Sequence, residues 1–274
     1  MRGSAAQRAF RALRTVRRML RPSCSPNICP FTGARSAASA ARSWIPPHLA
    51  SASDEGKAKA VDEIAIDIGM KKEAALELVS PGDRVTFDGR FLSMLGSRVS
   101  SPSIDDRAGV AAILRCLELL RGREHSCRLS VLFSVQEETG GSGAQTGAFE
   151  AAPEQAIATD VSFGSAPDVS SEKYASLGKG TMIGYAPSLD RKMSVRLAAI
   201  AKEKGIASQP EVMGGRTGTN CDEIQISGSG VHTALLSIPI RNMHTAAELC
   251  DLADIEATAR LMAEYIAEGG KADA

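Results

Sequence analysis

Aromatic residues are scarce in this chain, 4% of 274 residues, although 43% are hydrophobic. The core must therefore rest on alanine, leucine, valine and isoleucine, the make-up of a layered globule with a mean hydropathy of -0.08. No run approaches the ~18 consecutive apolar residues of a membrane span, so no membrane partner is expected. Cysteine is thin and scattered. Cys116, Cys127, Cys221 and Cys250 form no CxxC pair and read as reduced intracellular thiols. Cys24 and Cys29 sit among prolines with no second pair to complete a zinc knuckle. Histidine is rarer still: His48, His125, His232 and His244 are the whole supply.

Acidic residues and lysine are absent from residues 1–53, which hold nine arginines. Removing that segment leaves 23 basic against 32 acidic side chains, so the body carries about −9. Such a body argues against nucleic-acid binding. RAFRALRTVRRML sets arginines on one helical stripe and Phe10, Leu13, Val16 and Leu20 on another, ahead of a Pro/Ser/Ala/Arg stretch without apolar periodicity. Two readings stand side by side: an organellar transit peptide, or upstream sequence outside the folded protein. The corresponding locations are an organelle (mitochondrion or plastid) and the cytoplasm. Either way, residues 1–53 are expected to join no core.

The length suits one large α/β domain, or one domain with an appendage. Ordered structure is expected from about Asp62, with a short strand in DEIAIDIG, a helix in KKEAALELV and a turn at Ser80–Asp83 leading into a strand. From Asp105 helices and strands alternate. A helix over 107–122 has Asp106 as its N-terminal cap, Gly122 as its stop, and Val110, Ile113, Leu114, Leu117 and Leu120 on one face. A buried strand over 127–135 leads into Glu137 and Glu138, and QAIATDV is the next strand, ending at Asp160. A helix over 188–205, a strand in SQPEVM, a short helix in CDEIQIS, a buried strand in VHTALLSIP and a helix from Asp254 complete the pattern. Alternation of this kind predicts a mainly parallel sheet covered on both faces by helices.

Asp105, Glu137, Glu138, Asp160 and His244 are the residues to which this pattern draws attention. Each follows an apolar strand, where an α/β sheet collects ligands. Taken singly, each has an ordinary explanation: a cap, a solvated pair, a packed imidazole. Three acidic strand ends in successive βα units change that balance. Carboxylates with one imidazole suit zinc, cobalt or manganese, and adjacent glutamates suit one ligand beside one general base.

SIDDRAGVAAIL, SVQEETGGSGAQTGA, ATDVSF and GGRTGTNCDEIQISGSGVHTALLSIPIRNMHTAAEL resemble the tetrahedral (TET) aminopeptidases, the glutamyl-aminopeptidase and cellulase-M-like di-metal peptidases. The resemblance runs from about Asp62 to the C-terminus. It implies a di-zinc aminopeptidase-like fold, with residues 54–100 the remnant of a β-rich inserted domain and residues 101–274 the catalytic domain. It further implies peptide substrates, two divalent ions per subunit and a homo-oligomeric shell, which the shortened insertion puts in question. By position, Asp105 would bridge the ions and Glu137 would be the general base. Glu138 and His244 would hold one ion and Asp160 the other. A cis peptide bond between Asp105 and Asp106 is implied as well.

The family pattern departs from this sequence at one ligand. A histidine in an N-terminal His-x-Asp strand shares the ion of Asp160, and no histidine here stands in that setting. His48 lies in a proline-rich stretch, His125 in a helix–strand loop and His232 at a strand start, each with an ordinary reading. One metal site is then complete and the other one ligand short, as if the chain were the C-terminal two-thirds of a family member behind a foreign or targeting segment. Three functions follow: a metal-dependent aminopeptidase impaired at one site, a catalytically silent scaffold or regulatory subunit, or a deacylase of the same fold.

Overall fold

A computed structural model of the chain describes residues 39–41, 65–83, 89–167 and 174–269. It divides into two compact units that part between Thr86 and Phe87. In the smaller, β1 (Ser39–Ala41) pairs antiparallel with β2 (Ala65–Asp67), and α1 (Lys72–Leu78) follows with no buried residue. The Ser80–Asp83 turn forms as the sequence implies, with Gly82 at φ 96° and the amide of Ser80 donating to Asp83 Oδ2 at 2.8 Å. Apart from β1, the transit-like segment in residues 1–53 lies outside the described residues, as does the start of the strand expected after that turn.

The larger unit is an α/β layer structure built on one strand. β8 (His232–Arg241) is buried from Thr233 through Ile240, so both of its faces are covered. β5 (Gln155–Phe163) runs parallel to it along nine positions on one edge. The other edge is shared: β6 (Thr181–Tyr185) pairs antiparallel near Leu236 and Ser237, and β9 (Glu248–Asp251) pairs at Ile240 and Arg241. The sheet therefore forks. One arm continues in parallel to β7 (Ser208–Val212); the other runs antiparallel through β4 (Arg98–Ser101) to β3 (Leu92–Ser93). The result is a mixed sheet flanked by helices, its two parallel pairs lying on either side of the β6–β8 contact.

Helices α2 (Ile104–Leu120), α3 (Ser142–Ala151), α4 (Arg191–Glu203), α5 (Cys221–Ile224) and α6 (Leu252–Ala267) complete the unit. α2 buries a face centred on its small residues rather than on the large aliphatics. Ala108, Ala111, Ala112 and Cys116 are the innermost residues; of the expected face, Leu120 is buried, Val110, Ile113 and Leu114 are half-buried against the core, and Leu117 is exposed. Small side chains let the helix axis approach its neighbours closely, which packing rewards more than the bulk of any one leucine. A buried ion pair reinforces the contact: Arg115 Nε donates to Glu256 Oε2 at 2.9 Å and Nη2 to Oε1 at 3.2 Å, linking α2 to α6.

One expected strand is absent. Residues 127–135 form no regular element, and Leu129, Val131, Leu132, Phe133 and Val135 are exposed. A strand exists only through its neighbour's hydrogen bonds, and β5 pairs with β8 alone among the described strands. Among the described residues no helix is long and apolar enough to cross a membrane. Of the described cysteines, Cys116, Cys221 and Cys250 are buried free thiols.

Candidate metal centre

Three short connections carry the acidic residues and the histidine to one place. Asp105 arrives after β4 through a turn in which Ser103 takes φ 53°. Asp105 and Asp106 lie outside helical φ/ψ, so the regular turns of α2 begin at Arg107, and the peptide bond between the two aspartates is cis. Asp106 Oδ1 accepts the amide of Gly109 at 2.9 Å, the N-terminal cap expected from the sequence. Its carboxylate is thus committed to the helix, while that of Asp105 turns to the cluster.

Glu137 and Glu138 open a 3-10 turn, Glu137–Thr139, immediately after Gln136 at φ 62°. The Gly141 amide closes it by donating to the Gln136 carbonyl at 2.7 Å. A Cβ on Gly141 would stand 2.5 Å from Glu223 Cγ, so only glycine lets this turn approach α5. His244 lies in the loop between β8 and β9 at φ 60°. A left-handed conformation costs an L-residue roughly 1–2 kcal/mol, and such residues gather where function needs an unusual backbone. Ser103, Gln136 and His244 are three of the five described non-glycine residues in that region, and each adjoins or belongs to the cluster.

Asp105, Glu138 and His244 each bring a ligand atom within 4.8 Å of the others. His244 Nε2 lies 3.0 Å from Asp105 Oδ2 and 3.4 Å from Glu138 Oε2. Ligand atoms ~2.1 Å from one zinc at tetrahedral angles stand ~3.4 Å apart, so the triad has the spacing of a shared ion. Two carboxylates and an imidazole also leave an open position, as a catalytic site requires.

Electrostatics point the same way. The Asp105 carboxyl is pushed up to about 6, by burial first and then by Glu138 and Glu248. Asp160 reaches about 8 through burial, with Glu137, Asp105 and Glu138 adding to it. Asp106 is held well above the usual carboxylate range by burial and by Asp160, and Glu137 is raised by burial and Glu138. Against these effects stand the His244 imidazole at Asp105 and Glu137 and backbone amides at Asp106 and Asp160. Carboxyls crowded together with so little opposing charge make a site that a cation would relieve.

Asp160 is buried but lies within β5 rather than at its end, because pairing with β8 continues to Phe163. It senses the other carboxylates yet stands outside the three-residue cluster, as does Glu137. The remaining described histidines are engaged elsewhere. His125 Nδ1 lies 2.9 Å from the Cys127 carbonyl, and His232 Nδ1 lies 2.6 Å from Asp190 Oδ2. His48 falls outside the described residues. Sequence reasoning passed over Glu248, a buried carboxylate four residues beyond His244. Its burial comes from strand pairing, and nothing in MHTAAEL announces it.

The family model for M42 glutamyl aminopeptidase matches residues 29–261 of this chain. A lysyl aminopeptidase of Pyrococcus furiosus is 34% identical over 230 residues, covering 82% of this chain but 65% of its own length. Among solved structures, an aminopeptidase from the archaeon Desulfurococcus kamchatkensis superposes with a TM-score of 0.73 at 32% identity, over 81% of this chain and 63% of that one. The TET1 peptidase of Pyrococcus horikoshii, described as assembling into a tetrahedron or a large octahedral shell, gives 0.67 at 31% identity, over 83% of this chain and 67% of that one.

Proposed function

This chain belongs to the M42 glutamyl aminopeptidase family, and on that premise we propose that it is a metal-dependent aminopeptidase acting on the N-termini of peptides. The observation that carries the reading is the Asp105–Glu138–His244 cluster, with its spacing of 3.0 and 3.4 Å about one imidazole nitrogen. These three residues would hold a divalent ion, and Asp105 with Asp160 would hold a second, weaker one. Bound there, such ions supply Lewis acidity toward the scissile carbonyl and an anchor for a free α-amine.

The remaining chemistry falls to the side chains. Glu137 is half-buried, adjacent to a proposed ligand and outside the three-donor cluster. In this reading it would take the proton from the attacking water and return it to the departing amine. Asp105 would be shared by both proposed positions and so would set their separation. Gln136 and Gly141 close the glutamate turn beside α5, an arrangement that would keep the two neighbouring carboxylates in different roles.

A homo-oligomer is proposed on the strength of the Pyrococcus horikoshii TET1 peptidase, described as assembling into a tetrahedron or a large octahedral shell. The test is hydrolysis of lysyl, glutamyl, leucyl and alanyl p-nitroanilides, with N-acetylated counterparts and added zinc, cobalt or manganese. The panel spans lysine and glutamate because the family is described as glutamyl aminopeptidase and the Pyrococcus furiosus relative as a lysyl one. Metal-dependent release from free amines alone is expected, rising at excess metal as the weaker position fills. Release from acetylated substrates would favour the deacylase reading. No release at any metal concentration would leave a silent family member.

A further inference from the structure

Glu248 is 2% exposed at the start of β9, and its carboxylate meets three backbone amides. Oε2 accepts from Ile104 at 2.5 Å and from Asp105 at 3.1 Å; Oε1 accepts from His244 at 2.8 Å. None of these donors has a partner from regular structure. Ile104 and Asp105 precede the regular turns of α2, where amides have no acceptor within the helix. His244 sits in a left-handed loop between two strands. One buried side chain therefore satisfies the amides of two separate connections and, in doing so, ties them together. Those connections deliver Asp105 and His244, whose side chains meet 3.0 Å apart.

We propose that Glu248 is a positioning residue. By gripping the backbone of Asp105 with one oxygen and that of His244 with the other, it fixes the spacing of the cluster and so sets its affinity for a divalent ion. The inference rests on the reading that the cluster binds metal. Charge-assisted bonds to a carboxylate are about twice as strong as neutral ones, so the grip outweighs ordinary loop motion. Outer partners that orient ligands typically control metal affinity by ~10–100-fold.

The probe is Co²⁺ alone, titrated into the full chain and followed by its visible absorption, with thermal unfolding measured in parallel. Glu248→Gln preserves shape and volume, but its amide NH₂ must face one of the two donor sets, so one connection loses its acceptor. A ~10–100-fold weaker Kd with an altered absorption band is expected. Glu248→Asp keeps both oxygens and the charge on a stem one carbon shorter, and cannot reach both connections. It should weaken Co²⁺ binding ~10-fold, and it carries the test should the glutamine variant not fold. An unchanged Kd and band in a folded variant, even at a lower Tm, overturns the proposal, since a merely structural role moves only Tm. Failure of both variants to fold also overturns it, by making Glu248 a core residue. If the wild-type chain takes up no Co²⁺, the metal reading fails and this one falls with it. Equal uptake by wild type and variants defeats this one alone.

Discussion

Replacing Glu256 by glutamine tests how firmly α2, the helix that begins at the candidate site, is held against α6. Arg115 and Glu256 are both 8% exposed at the side chain and are joined by two parallel bonds of 2.9 and 3.2 Å. Exchanging such a pair for apolar residues is often neutral, whereas removing one partner strands the other charge and costs ~3–5 kcal/mol. Here the stranded guanidinium keeps one acceptor, Glu118 Oε2 at 2.9 Å, whose side chain is 55% exposed and brings some solvent with it. Glutamine can also still accept one bond. The lower end, ~3 kcal/mol, is therefore expected. With a urea m-value of ~2.5 kcal/mol/M, the unfolding midpoint should fall by ~1 M. The double replacement Arg115→Met with Glu256→Met should recover most of that loss, because it removes both desolvation costs together. A midpoint within ~0.2 M of wild type for Glu256→Gln would refute the reasoning, since it would mean that the buried charge finds equivalent solvation elsewhere.

Asp254 offers a second test, through pH. It is fully buried, accepts from Gly178 and Gly180 at 2.7 Å each, and is nevertheless raised to about 7, chiefly by burial. Because the unfolded chain loses this proton near pH 4 and the folded one near 7, the contribution of Asp254 is complete below pH 4 and is lost as pH rises to 7. Measured as the stability of wild type minus that of Asp254→Asn, the loss should amount to ~4 kcal/mol across that window. A constant difference would show that the two glycine amides outweigh burial. For catalysis, Glu137→Gln should lower kcat/KM by ~10²–10⁴ while metal content stays at the wild-type level, as expected of a general base outside the donor cluster. Metal lost along with activity would make Glu137 a ligand, and activity retained would remove it from the mechanism.

Features that depend on local chain chemistry were legible in the sequence, and those that depend on a distant partner were not. β8 was readable because it is buried along both faces, so its residues form one apolar run. The Asp106 cap and the Ser80–Asp83 turn were readable because their bonds span three residues. Residues 127–135 carry the same apolar signature as β8, yet form no strand, because a strand also needs a neighbour's amides and carbonyls. The inner face of α2 was misjudged for a related reason: periodicity reports where bulk recurs, whereas close approach to a partner selects alanine. At the site, Asp105, Glu138 and His244 were marked by residue type and by an expected place after strands, which holds for Asp105 and His244 but not for Glu138, and the structure brings all three within 4.8 Å of one another. Glu248 has the same residue type as Glu138 and lies nearer in sequence to His244, but its role comes from the pairing of β9 with β4 and β8, which buries it between two loops. A surface glutamate and a buried clamp are written with the same letter. What separates them is the register that pairs β9, more than a hundred residues from Asp105, with β4 just ahead of it, and that register is a property of the fold.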